Sequence, residues 1–139
     1  MSLRTILTVV LVTAACSGDK LDGAIDYSMS GGFAGGIATT LRIEPSGRYR
    51  LTNLDQAPRE GTLDAGAFAA LRARIQAANF PTLDETYECC PDDYVETISV
   101  ELDGEVHTVQ ADRSADKPER LEAVLETIQE LAGTSPPRL

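Results

Sequence analysis

Apolar and polar residues alternate along the early part of the chain, and this period of two predicts β-strands. The pattern covers residues 24–30, 37–44 and 48–53. A Pro-Ser-Gly turn separates the last two segments, and pairing across it places Leu41 opposite Leu51. Both strands are therefore expected to bury the same face.

Two later segments repeat their apolar residues with the period of an amphipathic helix. The first begins after Asp64, a typical N-cap residue, and runs to about Phe80, where Pro81 stops it. The second covers residues 116–133 and ends at Gly133. Each helix is expected to pack its apolar stripe against the sheet.

Between the helices, residues 94–111 have the pattern of a β-hairpin. Its turn is Asp103-Gly104, the dipeptide favoured in two-residue hairpin loops. This register puts His107, the only histidine of the chain, opposite Val100 on the apolar face. We therefore expect a packed histidine of the sheet rather than a catalytic base.

The order of these elements, βββαββα, predicts an α+β domain. We expect a mostly antiparallel sheet of about four to five strands, with both helices packed on one face. The length of 139 residues suits one domain, which we assign to residues 24–133. Residues 134–139 are expected to form a disordered tail.

The N-terminus has the features of an export signal. Residues 1–15 combine the basic Arg4 with an apolar run too short to span a bilayer, and the sequence TAAC ends at Cys16 like a bacterial lipobox. We expect lipidation of Cys16, a short tether over residues 16–23, and anchoring in the bacterial cell envelope. Because Ser17 replaces the aspartate of some inner-membrane lipoproteins, the outer membrane is favoured. The alternative is A-x-A cleavage, which releases a soluble secreted protein.

The formal charge of −10 argues against nucleic acid as a partner, because a surface this negative repels phosphate groups. No nucleophile motif such as G-x-S-x-G is present, and we expect a monomer without enzymatic activity and without a cofactor. Several acidic residues could offer oxygen ligands to calcium, but they lack the order of a calcium loop, so a solvated loop is expected. These residues are Asp84, Glu85, Glu88, Asp92, Asp93 and Glu96.

The three cysteines are an odd number for an exported protein. If Cys16 carries lipid, the adjacent pair Cys89-Cys90 remains. Such neighbours can close a vicinal disulfide, remain reduced or cross-link chains. We favour a structural pair in a loop over a redox switch or a soft-metal site, and we expect no metal because no further cysteine or histidine lies nearby.

A glycine-rich segment follows the first predicted strand and consists of Ser30, Gly31, Gly32, Phe33, Ala34, Gly35 and Gly36. A phosphate loop opens a helix, whereas strand-patterned sequence follows this segment, so nucleotide binding is not expected. Two interpretations stay open. The segment is either a flexible connection with Phe33 folded into the core, or a loop that presents Phe33 to a partner.

The run IDYSMSGGFAGGIATTLRIEPSGRYRL from Ile25 resembles the start of the emfourin family of protealysin inhibitors. The helix AFAALRARIQAANF, the step Asp93-Tyr94 into a strand, the DG hairpin with EVHTV and the closing P-x-x-L helix are also similar. The resemblance covers residues 24–132. Two features depart from this resemblance, namely the lipobox-like sequence at Cys16 and the cysteine pair Cys89-Cys90.

The resemblance implies an inhibitor of thermolysin-like zinc metallopeptidases that has no cofactor of its own. Such peptidases favour a bulky apolar side chain after the scissile bond, so residues 30–36 would be the inhibitory loop and Phe33 its anchor. The alternative is a non-inhibitory envelope lipoprotein that acts as a protein-interaction module through the same loop.

Overall fold

The computed structural model describes residues 20–32 and 36–133. The expected signal peptide, Cys16, the centre of the glycine-rich segment and the expected tail at 134–139 lie outside these residues. The elements are β1 (Leu21–Gly31), β2 (Ile37–Ile43), β3 (Arg48–Asn53), β4 (Arg59–Thr62), α1 (Ala65–Ala78), β5 (Thr86–Tyr87), β6 (Tyr94–Leu102), β7 (Glu105–Asp112) and α2 (Glu119–Ala132).

The strands form one mixed sheet in the order β4-β3-β2-β1-β6-β7-β5. Neighbouring strands are antiparallel except β5, which pairs parallel to β7. The longest strand, β1, lies at the centre and pairs with β2 on one side and β6 on the other. The glycine-rich segment that follows β1 therefore begins at the middle of the sheet.

The prediction of a mostly antiparallel sheet of four to five strands in the order βββαββα is wrong. The described residues form seven strands, and more of them lie in strands than in helices. Both missed strands lack an apolar alternation. β4 has the sequence REGT with exposed side chains at a sheet edge, and β5 has only two residues. Edge strands of this kind are short and polar, so periodicity does not reveal them.

Alternate residues of the sheet form the core together with both helices. The registers predicted across the two turns are confirmed, because Leu41 pairs with Leu51 and Val100 with His107. The helices add one stripe each to the same hydrophobic cluster. Its members from the sheet are Leu21, Ile25, Tyr27, Met29, Leu41, Ile43, Leu51, Ile98, Val100, Leu102 and Val109. Burying one such aliphatic side chain stabilises the fold by about 2 kcal/mol.

The helix ends follow the sequence signals. The Asp64 carboxylate accepts hydrogen bonds from the backbone N–H groups of Gly66 and Ala67, which caps the first turn of α1. Gly133, with φ of 68°, ends α2 in the left-handed conformation. Among the described residues, neither helix combines the length and the apolar character that crossing a bilayer requires.

The opposite face of the sheet is open and polar. Two exposed ion pairs lie on it, Arg42 with Asp26 and Arg50 with Glu60, each between neighbouring strands. A shallow depression of about 330 Å³ is lined by hydroxyl side chains of the central strands. Exposed ion pairs of this kind contribute about 0–1 kcal/mol, so this face is a solvated surface rather than a second core.

Candidate functional site

The glycine-rich segment connects the central strand β1 to β2. Its ends are closed by a hydrogen bond from the Gly31 N–H to the Gly36 carbonyl oxygen, at 3.1 Å. Gly31, Gly32 and Gly36 have φ of 95°, 73° and 79°, a region that other residues rarely adopt. The remaining residues of the predicted loop, 33–35, lie outside the described residues. The backbone geometry thus requires glycine at both ends of the loop.

The step from Asp93 to Tyr94 supports this loop from the side. The Gly32 N–H donates to the Asp93 carbonyl oxygen at 3.4 Å. A Cβ atom on Gly31 would lie only 2.7 Å from the same oxygen, and a Cβ on Gly32 would lie 3.0 Å from the Tyr94 ring. A side chain at either position would therefore displace the neighbouring backbone or ring.

Exposed apolar side chains gather at this end of the sheet. Of the four large hydrophobic residues exposed among the described ones, Ile37, Leu54 and Tyr94 lie here, and only Val106 lies elsewhere. Ile37 begins β2 directly after the loop, and the Leu54 N–H donates to the carbonyl oxygen of the residue that follows Ile37. We call Gly31, Gly32, Gly36, Ile37, Leu54 and Tyr94 the loop-end surface. Exposed apolar groups that share one end of a sheet are candidates for contact with a partner.

The ring of Tyr94 is held between two neighbours. Gly32 lies against its edge atoms, and the Arg113 guanidinium lies 5.9 Å from its centroid. A cation at this distance over an aromatic face is attracted by the ring, by about 0.5–1 kcal/mol at an exposed position. Tyr94 is therefore a positioned aromatic group that is still 40% exposed.

The Asp93 carboxylate ties the same step to the segment between β7 and α2. It accepts hydrogen bonds from the backbone N–H groups of Tyr94 and Ser114, each at 2.8 Å. Burial raises the pKa of Asp93, but the hydrogen bonds from Ser114 and Tyr94 and the charge of Arg113 lower it by more. The pKa of this carboxyl therefore lies below its ordinary value of 3.8.

The lowered pKa of Asp93 predicts a pH-dependent contribution to folding. The folded pKa lies below the unfolded value, so the carboxylate stabilises the fold fully above about pH 4. That stabilisation is lost as the pH falls through the folded pKa. We expect the Asp93→Asn variant to have a lower free energy of unfolding at neutral pH and a shallower decline below about pH 4, measured by urea unfolding across the pH range.

Asp92→Asn is the matched control, because Asp92 is exposed and asparagine tolerates its positive φ of 60°. This variant is expected to follow the unsubstituted protein at every pH. Identical pH curves for Asp93→Asn and Asp92→Asn would contradict the assigned role of Asp93.

The cysteine pair lies next to this support. Cys89 and Cys90 form a vicinal disulfide, which is the first of the three alternatives left open by the sequence. Both residues are exposed, and both of their backbone N–H groups donate to one Asp112 carboxylate oxygen, at 2.7 and 3.2 Å. The Asp93 N–H donates to the Cys90 carbonyl oxygen at 3.4 Å. The structure thus places the cysteine pair beside the Asp93-Tyr94 step that supports the glycine-rich loop.

The acidic residues considered for calcium do not converge. Glu96 is buried beneath the sheet, where it accepts hydrogen bonds from the Tyr27 hydroxyl at 2.7 Å and from the Gln129 side-chain amide. Within the described part of the chain, one group of three potential metal ligands comes within 4.8 Å, namely Cys89, Cys90 and Asp93. Its two sulfur atoms are bonded to each other, and the Asp93 oxygens already accept backbone hydrogen bonds.

His107 lies far along the hairpin from the loop-end surface, on the face predicted for it. It is half-buried opposite Val100 and lines a small depression of about 200 Å³ beside Phe80 and Leu83. No group of the loop-end surface lines that depression. The structure therefore gives His107 a place in the sheet and no part in this site.

Ile37, Leu54 and Tyr94 were not predicted as members of the site. One signal was available for Tyr94, because it precedes Glu96 and Ile98 on alternate positions and so continues their face of β6 past the last buried residue. Ile37 carried the same signal on β2. The exposure of these residues depends on what packs over them in the fold, and periodicity does not report this.

Comparisons with protein-family models and with curated proteins give no match to this chain. The resemblance to the emfourin family therefore stays a prediction.

Proposed function

We propose that the protein is an exported inhibitor of thermolysin-like zinc metallopeptidases that docks through the glycine-rich loop, residues 30–36. The observation that carries the proposal is that Ile37, Leu54 and Tyr94 are exposed at the end of the sheet where this loop begins and ends. An inhibitor needs a projecting segment for the cleft of the enzyme and an apolar rim around it. Binding interfaces concentrate their energy in aromatic and aliphatic anchors of this kind.

The support of the loop favours tight binding. β1 is the central strand, and both ends of the loop are joined by the hydrogen bond between Gly31 and Gly36. The Asp93 carbonyl oxygen accepts a hydrogen bond from the Gly32 N–H, and the Tyr94 ring lies beside Gly32, so both restrain this end of the loop. Ordering a flexible segment on binding costs about 0.5–1.5 kcal/mol for each immobilised side chain, and a loop with fixed ends avoids part of this cost.

The location follows the N-terminal sequence. We propose that Cys16 carries lipid and holds the domain in the bacterial cell envelope, at the outer membrane. β1 begins at Leu21, so little chain separates Cys16 from the sheet. An inhibitor tethered this closely would act on peptidases at the surface of the same membrane.

Titration of the purified protein into a thermolysin-like peptidase, with a small peptide as substrate, tests the proposal. We expect saturable loss of activity at one-to-one stoichiometry. Phe33→Ala is expected to weaken inhibition about 30-fold, because a truncated interface anchor typically loses about 2 kcal/mol.

Val106→Ala is the matched control, since Val106 is equally apolar, 63% exposed and distant from the loop-end surface. It is expected to leave inhibition unchanged. Unchanged inhibition by Phe33→Ala would remove Phe33 as the anchor. Full activity of several such peptidases in the presence of excess folded protein would exclude the inhibitor function and leave the non-inhibitory interaction module.

A further inference from the structure

The vicinal disulfide is exposed, and neither the fold nor the proposed inhibition needs its sulfur chemistry. We propose that Cys89–Cys90 is a site of thiol–disulfide exchange with a dithiol reductant, and that its redox state sets the mobility of the loop-end surface. Both cysteines are solvent-exposed, so an incoming thiolate can reach either sulfur. The consequence for inhibition rests on the proposed function, whereas the structural coupling does not.

The exchange has a defined course. A thiolate of the reductant attacks one sulfur, which forms a mixed disulfide and breaks the Cys89–Cys90 bond, and the released cysteine sulfur takes up a proton. The second thiolate of the reductant then attacks the first sulfur of the reductant, the one bound in the mixed disulfide. This attack releases the other cysteine, whose sulfur is also protonated. The protein gains two electrons and two protons, and the dithiol becomes an internal disulfide.

The adjacency of the cysteines selects a dithiol over a monothiol. After the first attack, the freed cysteine is the direct chain neighbour of the mixed disulfide, with a Cα–Cα distance of 3.7 Å. As a thiolate, the freed cysteine can attack that mixed disulfide, which closes the original bond and expels a monothiol before a second monothiol arrives. A reductant that carries a second thiol completes the reaction from within the adduct. Proteins with a C-x-x-C motif supply such a dithiol.

A continuous set of backbone contacts links the disulfide to the loop. The Cys90 carbonyl accepts from the Asp93 N–H, and the Asp93 carbonyl accepts from the Gly32 N–H, both at 3.4 Å. These bonds are long and therefore weak, so their geometry depends on how firmly residues 89–93 are held. The disulfide ring fixes the backbone of the two cysteines, while Asp112 binds both of their N–H groups. Opening the ring removes one of these two restraints.

Amide hydrogen exchange by NMR tests the coupling without any peptidase. The protein is compared before and after reduction with dithiothreitol, and alkylation with mass measurement establishes a gain of two free thiols on reduction. We expect exchange at Gly31 and Gly32 to become about three- to tenfold faster on reduction, since the Gly32 amide donates to Asp93 and the neighbouring Gly31 amide donates to Gly36 at the base of the loop. Gly47 and Gly104, which lie in turns away from the loop-end surface, serve as internal references.

The Cys89→Ser, Cys90→Ser double variant is expected to reproduce the exchange rates of the reduced protein under oxidising conditions. Equal rates at Gly31 and Gly32 in both redox states would overturn the proposal, and so would an equal acceleration at Gly47 and Gly104. In parallel, reduction is expected to weaken peptidase inhibition about three- to tenfold. Absence of inhibition in both redox states would refute the proposed function, while the exchange rates would still decide the coupling.

Discussion

Replacement of Gly31 by alanine is expected to lower the free energy of unfolding by about 3 kcal/mol. Two effects add at this position. Alanine at φ of 95° is strained, and its Cβ would lie 2.7 Å from the Asp93 carbonyl oxygen. That oxygen belongs to backbone, so no side-chain rotation relieves the contact. Either β1 or the Asp93-Tyr94 step must therefore shift, and this displaces Gly31 or Tyr94 of the loop-end surface. Urea unfolding at neutral pH measures the loss.

Gly36→Ala separates the two effects. Gly36 also has positive φ, at 79°, but a Cβ there meets no atom within 4 Å. This variant is expected to lose about 1 kcal/mol from backbone strain alone. The excess loss in Gly31→Ala then reports the close approach to Asp93. Equal losses in the two variants would show that the contact between the loop and Asp93 has no energetic weight. In that case the coupling of the loop to the disulfide would also lack a basis.

Local signals explain which parts of the fold were predictable. A turn of two or three residues fixes the register of the strands on either side of it, and alternation then fixes the buried face. This is why Leu41 was placed opposite Leu51 and His107 opposite Val100, as the structure has them. The capping of α1 by Asp64 was equally readable, because an N-cap depends on the residues within one turn.

Pairing between distant segments was not predictable in the same way. β1 and β6 are neighbours, with Gly31 opposite Tyr94, yet no short turn joins them. The choice of β6 as the second neighbour of β1 is made by packing of the whole core. The loop, the cysteine pair and Tyr94 meet only through this pairing. Their assembly into one site therefore could not be derived from residue patterns.

Glu96 shows a different kind of error. The sequence pattern placed it among the acidic residues of an expected solvated loop. In the structure it occupies the alternate position before Ile98 and Val100 and therefore shares their buried face. Alternation along β6 indicates this direction, whereas the charge of a glutamate side chain favours solvent. A buried carboxylate is tolerated when donors surround it, and here the donors come from Tyr27 on β1 and Gln129 on α2. Neither is near Glu96 in the sequence.

Replacement of Glu96 by alanine is expected to lower the free energy of unfolding by about 4 kcal/mol, more than the loss expected for Gly31→Ala. The carboxylate is 1% exposed, and its removal takes away the oxygen to which both the Tyr27 hydroxyl and the buried Gln129 amide donate. It also opens a cavity beneath the strand that carries Tyr94. Because α2 contacts β6 through this cluster, we expect the Tyr94 signals to shift in NMR spectra of the folded variant.

Two substitutions identify the cause of that loss. Glu96→Gln keeps the size of the side chain and an acceptor oxygen, so it is expected to lose only about 1–2 kcal/mol. Glu105→Ala removes an exposed glutamate from the same hairpin and is expected to stay within about 0.5 kcal/mol of the unsubstituted protein. If Glu96→Ala were no more destabilising than Glu105→Ala, the hydrogen bonds of Glu96 with Tyr27 and Gln129 would not hold α2 to the sheet. The end of the sheet that carries the loop would then depend on its other contacts, among them the packing of buried Met29, which lies opposite Glu96 on β1.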